Sequence, residues 1–114
     1  MSVLPHNHNM WALIGIFSGR EDNIFWRRIQ GANGRQIEAA GAKSLCVGDV
    51  EVLGRDIIHS VLNPIDRLTG TIHIYGGDFV GVERSEWDGE TLQEGRHDVA
   101  RIRQRFEASN AALG

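Results

Sequence analysis

The sequence predicts an all-β domain followed by one C-terminal helix. Fourteen glycines but only two prolines punctuate its 114 residues, and the glycines separate short apolar runs. Short runs of this kind, with turn signals roughly every 8–12 residues, are typical of β-sandwiches and barrels rather than βαβ units. Before position 97 no segment shows the periodicity of a helix, which supports the same fold class.

The predicted strands follow these runs in chain order: 11–17, 23–29, 35–39, 44–45, 50–53, 58–62, 71–75 and 79–82. GANG at 31–34 predicts a hairpin turn, and NPIDRLTG at 63–70 predicts a longer loop. Pro64 within that loop cannot contribute to a central β-ladder because it lacks the N–H group.

The C-terminal segment has a different pattern. Val99, Ile102, Phe106 and Leu113 share one helical face, Asp98 is a suitable N-cap, and Gly114 is a suitable stop. We therefore expect one domain over 1–114, with a β-barrel at about 2–90 and an amphipathic helix at about 98–112. Such a helix either covers one sheet or makes an oligomer contact, and the first is favoured.

Composition excludes several classes of protein. The 12 basic and 15 acidic residues give a formal charge of -3 and are interspersed, so neither nucleic acid nor an anionic membrane is an expected partner. No apolar run is long enough to span a bilayer, and the first residues do not have the pattern of a signal peptide. The single cysteine, Cys46, cannot form an internal disulfide and fits a reducing compartment. A cytoplasmic location is expected.

Three of the five histidines are arranged in an informative pattern. His6 and His8 are two residues apart, so a strand would place both imidazoles on one face of its sheet. His59 follows about fifty residues later, in GDVEVLGRDIIHSVLN.

These residues resemble the two signature motifs of the cupin superfamily. The first motif is matched by His6, His8 and Gly19, with Ala12 where a glutamate is usual. The second is matched by Gly48, His59 and Asn63, with Gly54 where proline is usual and Asp56 where glycine is usual. The resemblance implies a cupin double-stranded β-helix, the jelly-roll barrel, with a divalent metal on His6, His8 and His59.

Ala12 is the important departure from the motif because alanine cannot bind a metal. The implied site then has three neutral imidazoles, which suit iron, copper, zinc and nickel alike. Three protein ligands also leave positions open for substrate, dioxygen or water.

A further segment, TGTIHIYGG, resembles the thiol dioxygenases, which are three-histidine cupins. Thr71, His73 and Tyr75 match the Ser-x-His-x-Tyr strand of cysteine dioxygenase and 3-mercaptopropionate dioxygenase, with threonine in place of serine. The resemblance implies an enzyme that uses Fe(II) and O2 to oxidise a small thiol carboxylate to a sulfinate. In this interpretation Tyr75 hydrogen-bonds either the iron-bound oxygen or the substrate carboxylate, His73 orients Tyr75, and Thr71 fixes the tautomer of His73.

The aromatic residue after the HxH pair resembles the mercaptopropionate branch. No cysteine lies near Ala12, since Cys46 comes just before the second motif, so we expect no cysteine–tyrosine crosslink. The resemblance covers about residues 5–80.

In that family the N-terminal half holds the residue that binds the substrate carboxylate, and the chain is expected to be N-terminally short, natively or by truncation. Arg27, Arg28, Arg55 and Arg67 are candidate replacements. The missing strands would leave an unpaired edge beside residues 2–10, and we expect either a homodimer through that edge or disorder in it.

Two other functions stay open: a cupin that binds metal or a small ligand without turnover, and a metal-dependent cupin isomerase or lyase. Oxygen uptake with a thiol separates the dioxygenase from both. The pair formed by His73 and Tyr75 also has a purely structural interpretation, as a buried hydrogen-bonded pair.

Overall fold

The computed structural model describes residues 2–30, 36–79 and 81–96, and this part of the chain is all-β, as predicted. It contains nine strands, listed here in chain order: β1 Ser2–Asn7, β2 Ala12–Ser18, β3 Arg20–Arg28, β4 Ile37–Cys46, β5 Val50–Leu53, β6 Ile58–Leu62, β7 Gly70–Tyr75, β8 Ser85–Trp87 and β9 Glu94–Arg96. The predicted helix at 98–112 and the predicted turn at 31–34 lie outside the described residues. Within the described ranges, no helix is long and apolar enough to cross a membrane.

The strands form two antiparallel sheets. The larger has six strands in the order β4-β3-β6-β1-β8-β9, and the smaller has three in the order β5-β2-β7. In the smaller sheet, Ala12, Ile14 and Ile16 of β2 lie directly opposite Tyr75, His73 and Thr71 of β7. Because paired residues share a sheet face, these six side chains lie on one face.

That face packs against the larger sheet. The main core contains Ala12, Ile14 and Ile16 from β2, Leu53 from β5 and Leu45 from β4, all buried, with Phe25 of β3 against them. The apolar residues of β2 alternate with exposed or half-buried ones, which is the pattern of a strand with one buried face. The two sheets therefore form a sandwich with the core between them.

A second apolar cluster contains Ile37, Ile58 and Trp87, with Trp26 and Leu92 packed against it. Trp26 and Ile58 are register partners, whereas His59 is paired with Phe25. Alternation along β6 therefore places Ile58 on the outer face of the larger sheet and His59 on the inner one. The chain after β8 brings Leu92 over this outer cluster.

Several predicted strands require correction. Residues 37–39 of the first run and the whole run 44–45 belong to one strand, β4. This strand continues through Gly41, opposite an irregularity between Phe25 and Trp26. The predicted strand at 79–82 is wrong for the described residues of that segment. Here Asp78 accepts hydrogen bonds from the backbone N–H groups of Gly81 and Val82, which makes a turn. β8 and β9 were not predicted because each has only three residues.

The expected unpaired edge beside residues 2–10 is also wrong. β1 lies inside the larger sheet, paired with β6 on one side and with β8 on the other, where His6 is opposite Glu86. The C-terminal strands β8 and β9 therefore supply the neighbour that the sequence analysis expected to be missing. A dimer through this edge has no support, since the edge does not exist.

Two glycines of the motifs have a backbone role. Gly19 and Gly48 have φ angles of 82° and 90°, a region in which glycine is strongly preferred. A Cβ on Gly19 would also lie 2.6 Å from Oγ1 of Thr69. Both glycines are at tight turns, between β2 and β3 and between β4 and β5, where the chain crosses from one sheet to the other.

Candidate metal centre

The three motif histidines converge between the sheets. His6 and His59 are direct register partners on β1 and β6, and His8 follows the end of β1. All three are buried, and their ligand nitrogens lie within 4.8 Å of one another. The i, i+2 spacing of His6 and His8 therefore does what the sequence analysis expected, because both rings point to one side.

Hydrogen bonds at Nδ1 fix the orientation of two of the rings. Nδ1 of His6 donates to the carbonyl oxygen of Leu4 at 2.8 Å. Nδ1 of His59 donates to Oδ1 of Asn23, also at 2.8 Å. A neutral imidazole that donates from Nδ1 carries its lone pair on Nε2, so both rings present a ligand nitrogen to the centre of the cluster.

The distance between two of these nitrogens fits a shared ion. Nε2 of His6 lies 3.2 Å from Nε2 of His8. Two nitrogens each about 2.1 Å from one metal, at angles between octahedral and tetrahedral, are roughly 3.0–3.4 Å apart. The three ring centroids are 4.7–5.1 Å apart in pairs, so the rings surround one point rather than stacking.

His59 provides the test of whether the residues fit a metal. Its Nε2 is buried and has no hydrogen-bond partner in the part of the chain that the structure describes. Such an atom has a substantial desolvation cost unless something binds it. Burial, together with the nearby histidines His6, His8 and His73, holds the pKa of His59 well below its usual range. The neutral ring with an unpaired, inward-pointing lone pair is the state that a divalent metal requires.

A second layer of polar residues supports His59. Asn23 is fully buried and donates from Nδ2 to Oε1 of Glu21 at 3.3 Å while its Oδ1 accepts from His59. Burial raises the pKa of the Glu21 carboxyl, an effect that the hydrogen bond from Asn23 partly offsets. Neither residue was predicted from the sequence, although their alternation on β3 places both on the face towards the histidines.

This support gives the first prediction. Asn23→Leu removes the acceptor of His59 Nδ1 at similar volume, so His59 loses its fixed orientation and tautomer. We expect the affinity for a divalent metal to fall by about 10–100-fold, measured by competition with a chelating indicator. Asn63→Leu is the control, because within the described residues the side chain of Asn63 bonds only the backbone of its own loop, at Ile65 and Arg67. Equal affinities in the two variants would contradict this role of Asn23.

Ala12 occupies the place where the cupin motif has a carboxylate. It is completely buried in the core and lies opposite Tyr75. A methyl group there supplies neither a ligand nor a negative charge. Because histidine binds a metal as the neutral imidazole, the side chains of this cluster would not compensate the charge of a bound cation.

Tyr75 and His73 lie beside the cluster on β7. The Tyr75 hydroxyl is 2.9 Å from Nδ1 of His73, and its ring lies 5.2 Å from that of His8. Desolvation lowers the pKa of His73 and raises that of Tyr75, although the ring of His73 keeps an exposed surface. Thr71 shares their face, but no hydrogen bond joins it to His73 within the described residues, so its role in fixing the tautomer stays a prediction.

Arg84 completes the site and was not among the predicted arginines. It is 6% exposed, and its Nη1 has no hydrogen-bond partner within the described ranges. Its guanidinium lies 4.1 Å from the centroid of the Phe79 ring, which stacks on Tyr75 at 4.1 Å. Burial lowers the pKa of Arg84, and interaction with Tyr75 partly offsets that effect. A buried cation with an unpaired donor next to the tyrosine is suited to bind an anion.

The asparagines that follow the two histidines, Asn7 and Asn9, hold Arg84 in place. Asn9 donates from Nδ2 to the carbonyl oxygen of Glu83 at 2.8 Å, and Oδ1 of Asn7 accepts from the backbone N–H of Ser85 at 2.9 Å. The two asparagines of HNHN therefore fix the chain on both sides of Arg84, while the two histidines contribute to the metal cluster. Asn9 has a φ of 53°, a conformation that asparagine tolerates better than most residues.

Of the four arginines considered from the sequence, two are engaged elsewhere. Arg27 pairs with Glu38, and Arg28 pairs with Glu94 and lies over the ring of Trp87. Arg55 lines a surface groove with Asn9, Met10 and Trp11, and Arg67 is exposed in the loop between β6 and β7. Arg84 is better placed than these four arginines, because its guanidinium interacts electrostatically with Tyr75 and lies over Phe79.

Compared with models of known protein families, the chain matches none.

Proposed function

We propose that this protein is a metal-dependent cupin of jelly-roll topology that acts as an Fe(II) thiol dioxygenase. It would convert a small thiol carboxylate and O2 to the sulfinate, with both oxygen atoms transferred to sulfur. One observation carries the proposal. A buried group of three histidines, with ring nitrogens facing one point, lies next to a hydrogen-bonded Tyr75–His73 pair and a buried arginine with an unpaired donor.

The fold supports this proposal in two ways. Two packed antiparallel sheets with the histidines between them are the arrangement expected of a cupin barrel. The glycines at motif positions, Gly19 and Gly48, have the positive φ angles that their turns need. Asn63, the last position of the second motif, closes the loop after β6 through hydrogen bonds to Ile65 and Arg67.

The donor set fits the proposed metal. Three neutral imidazole nitrogens without a carboxylate accept several divalent ions, and the similarity to thiol dioxygenases favours iron among them. When bound, Fe(II) would supply Lewis acidity that lowers the pKa of a thiol and the redox capacity needed to react with O2.

The surrounding residues support the proposed substrate class. The Arg84 guanidinium would form a charge-assisted pair with a carboxylate, because its Nη1 has no partner of its own. The Tyr75 hydroxyl, held by His73, would donate a second hydrogen bond to the same ligand. With neutral imidazoles and a buried arginine around it, the site favours an anion that carries both a thiolate and a carboxylate. The overall reaction, RS⁻ + O2 → RSO2⁻, balances without a further reductant.

The experiment is oxygen consumption by the whole chain loaded with Fe(II). 3-Mercaptopropionate, cysteine and cysteamine form the panel, and we expect the first to be the best substrate because the HxH-to-aromatic spacing resembles the mercaptopropionate branch. Mass spectrometry should show both atoms of ¹⁸O2 in the sulfinate. Iron bound stoichiometrically with no oxygen uptake for any thiol would contradict the dioxygenase and favour a metal-binding module without turnover.

Tyr75→Phe tests the role of the tyrosine hydroxyl. The ring and its stacking on Phe79 stay in place, while the hydrogen bond to His73 is lost. We expect turnover of 3-mercaptopropionate to fall by roughly 10- to 1000-fold, as for loss of one preorganised hydrogen-bond donor. Iron content should be unchanged, since Tyr75 is not a ligand in this proposal. Unchanged turnover would mean that the Tyr75–His73 hydrogen bond is a structural contact with no role in the reaction.

A further inference from the structure

The outer face of the small sheet is apolar and exposed. Leu13 pairs with Val52 on one side and with Ile74 on the other, so it lies at the centre of one row of residues across the sheet. Gly15 pairs with Val50 and Ile72 and lies at the centre of the next row on the same face. We call this surface the outer face of the small sheet. Its larger side chains are Leu13, Phe17, Val50, Val52, Ile72 and Ile74. The three strands place no charged residue on it.

Two aromatic rings extend this face at its ends. A Cβ on Gly76 would lie 2.0 Å from the ring of Trp11, and one on Gly70 would lie 2.4 Å from the ring of Phe17. Each ring therefore lies over a glycine of the β7 strand region. Trp11 and Phe17 stay 48% and 61% exposed, so the described residues do not cover them.

The size of the surface indicates a partner. Six of its side chains are 48–66% exposed, which leaves on the order of 700 Å² of apolar area, beyond the roughly 300–600 Å² of the largest patch on an ordinary monomer. Two such faces in contact would bury roughly 1,400 Å², within the range of standard stable interfaces.

Gly15 gives the second indication. It has ordinary negative φ, and a Cβ placed on it would meet nothing within 4 Å. Glycine weakens a strand interior, and it often marks a point where another chain approaches closely. Neither the backbone nor the packing of the described residues explains a glycine here, whereas a side chain from a second molecule would.

The face is also complementary to itself. We propose that two copies of this protein associate through the outer face of the small sheet, about a two-fold axis that crosses the strands at the level of Ile14. We call the open space above Gly15 the notch. The axis exchanges the two rows, so the side chain of Leu13 in each copy fills the notch above the partner's Gly15. It likewise sets Val52 against the partner's Val50, and Trp11 against the partner's Phe17. The projecting side chain of Leu13 and the notch at Gly15 are equidistant from one axis, and such a face fits a second copy better than an unrelated partner.

Sedimentation velocity of the full chain over about 1–100 µM tests the proposal. We expect a dimer in the wild type. Val52→Lys should raise the dissociation constant at least 100-fold, because it buries an ammonium group without a counter-charge. Gly15→Leu should raise it at least 10-fold by filling the notch. Leu68→Lys is the matched control, since Leu68 has the same 66% exposure as Val52 but lies in the loop between β6 and β7.

Three outcomes would overturn the proposal. The first is a monomer throughout the concentration range. The second is a dimer that tolerates both Val52→Lys and Gly15→Leu, which would then use another surface. The third is a monomer in which Val52→Cys, made in a Cys46→Ser background, resists maleimide labelling, since the face would then be covered by a segment of the same chain. Circular dichroism of Gly15→Leu checks that the fold is retained.

Discussion

His59→Ala should abolish stoichiometric metal binding while leaving the β-domain folded. His59 supplies the one buried ring nitrogen that has no partner within the described part of the chain, and its removal leaves two ligands. We expect metal affinity to fall by more than about 100-fold, beyond the 10–100-fold effect of losing a supporting residue. Elemental analysis after dialysis should find about one ion per wild-type chain and almost none in the variant.

Metal removal gives the matching stability result. At a free metal concentration 100 times the dissociation constant, binding stabilises the wild type by roughly 2.7 kcal/mol, so a chelator should lower its melting temperature by about 10 °C. The chelator should not change the melting temperature of His59→Ala. His73→Gln is the control, because His73 is an imidazole of the same cavity outside the triad, and it should keep the metal. Equally low metal in the wild type and in His59→Ala would mean that the site does not exist.

The histidine triad was predictable from the sequence because its geometry is mostly local. Residues two apart on a strand share a face, so His6 and His8 converge wherever β1 lies. The position of His59 opposite His6 depends on the pairing of β1 with β6, which the similarity to the cupin motifs supplied and periodicity alone could not.

The supporting residues were not predictable because they depend on register between distant strands. Asn23 and Glu21 reach His59 only because β3 is paired with β6 along this inner face. Arg84 lies in a loop and is brought to the site by Asn7 and Asn9, the asparagines that follow the two histidines, across more than seventy residues of sequence. No local pattern carries such information.

The strand pattern shows the same limit. Apolar runs such as 50–53 and 58–62 predicted β5 and β6 correctly, since both are rich in β-branched residues, which favour strands. The polar strands β8 and β9 were missed, although β8 is the strand that removes the expected free edge at β1. Such a short strand forms because the neighbouring strand pairs with it, and its own sequence has little β-propensity.

Arg84→Met should separate binding of the carboxylate from the rest of the proposed reaction. The methionine keeps an unbranched apolar side chain against Phe79 but removes the guanidinium that would hold the substrate. Losing one partner of a buried charge pair costs about 2–5 kcal/mol, so kcat/KM for 3-mercaptopropionate should fall at least about 30-fold, chiefly through KM. Any turnover of cysteamine, a thiol without a carboxylate, should change little, since it has nothing for Arg84 to bind.

Arg84→Met should keep or raise the melting temperature, although it lowers activity. Arg84 is a buried cation whose Nη1 has no partner within the described ranges, and replacing such a charge with an apolar side chain is often neutral or stabilising. The melting temperature of Arg84→Met without substrate should therefore equal or exceed that of the wild type, and its metal content should be unchanged. Arg27→Met is the control for loss of an arginine, because Arg27 forms an exposed pair with Glu38 and should leave KM as it is. If Arg84→Met melted at a much lower temperature with an unaltered KM, Arg84 would be a structural residue, and the carboxylate would have to be bound elsewhere.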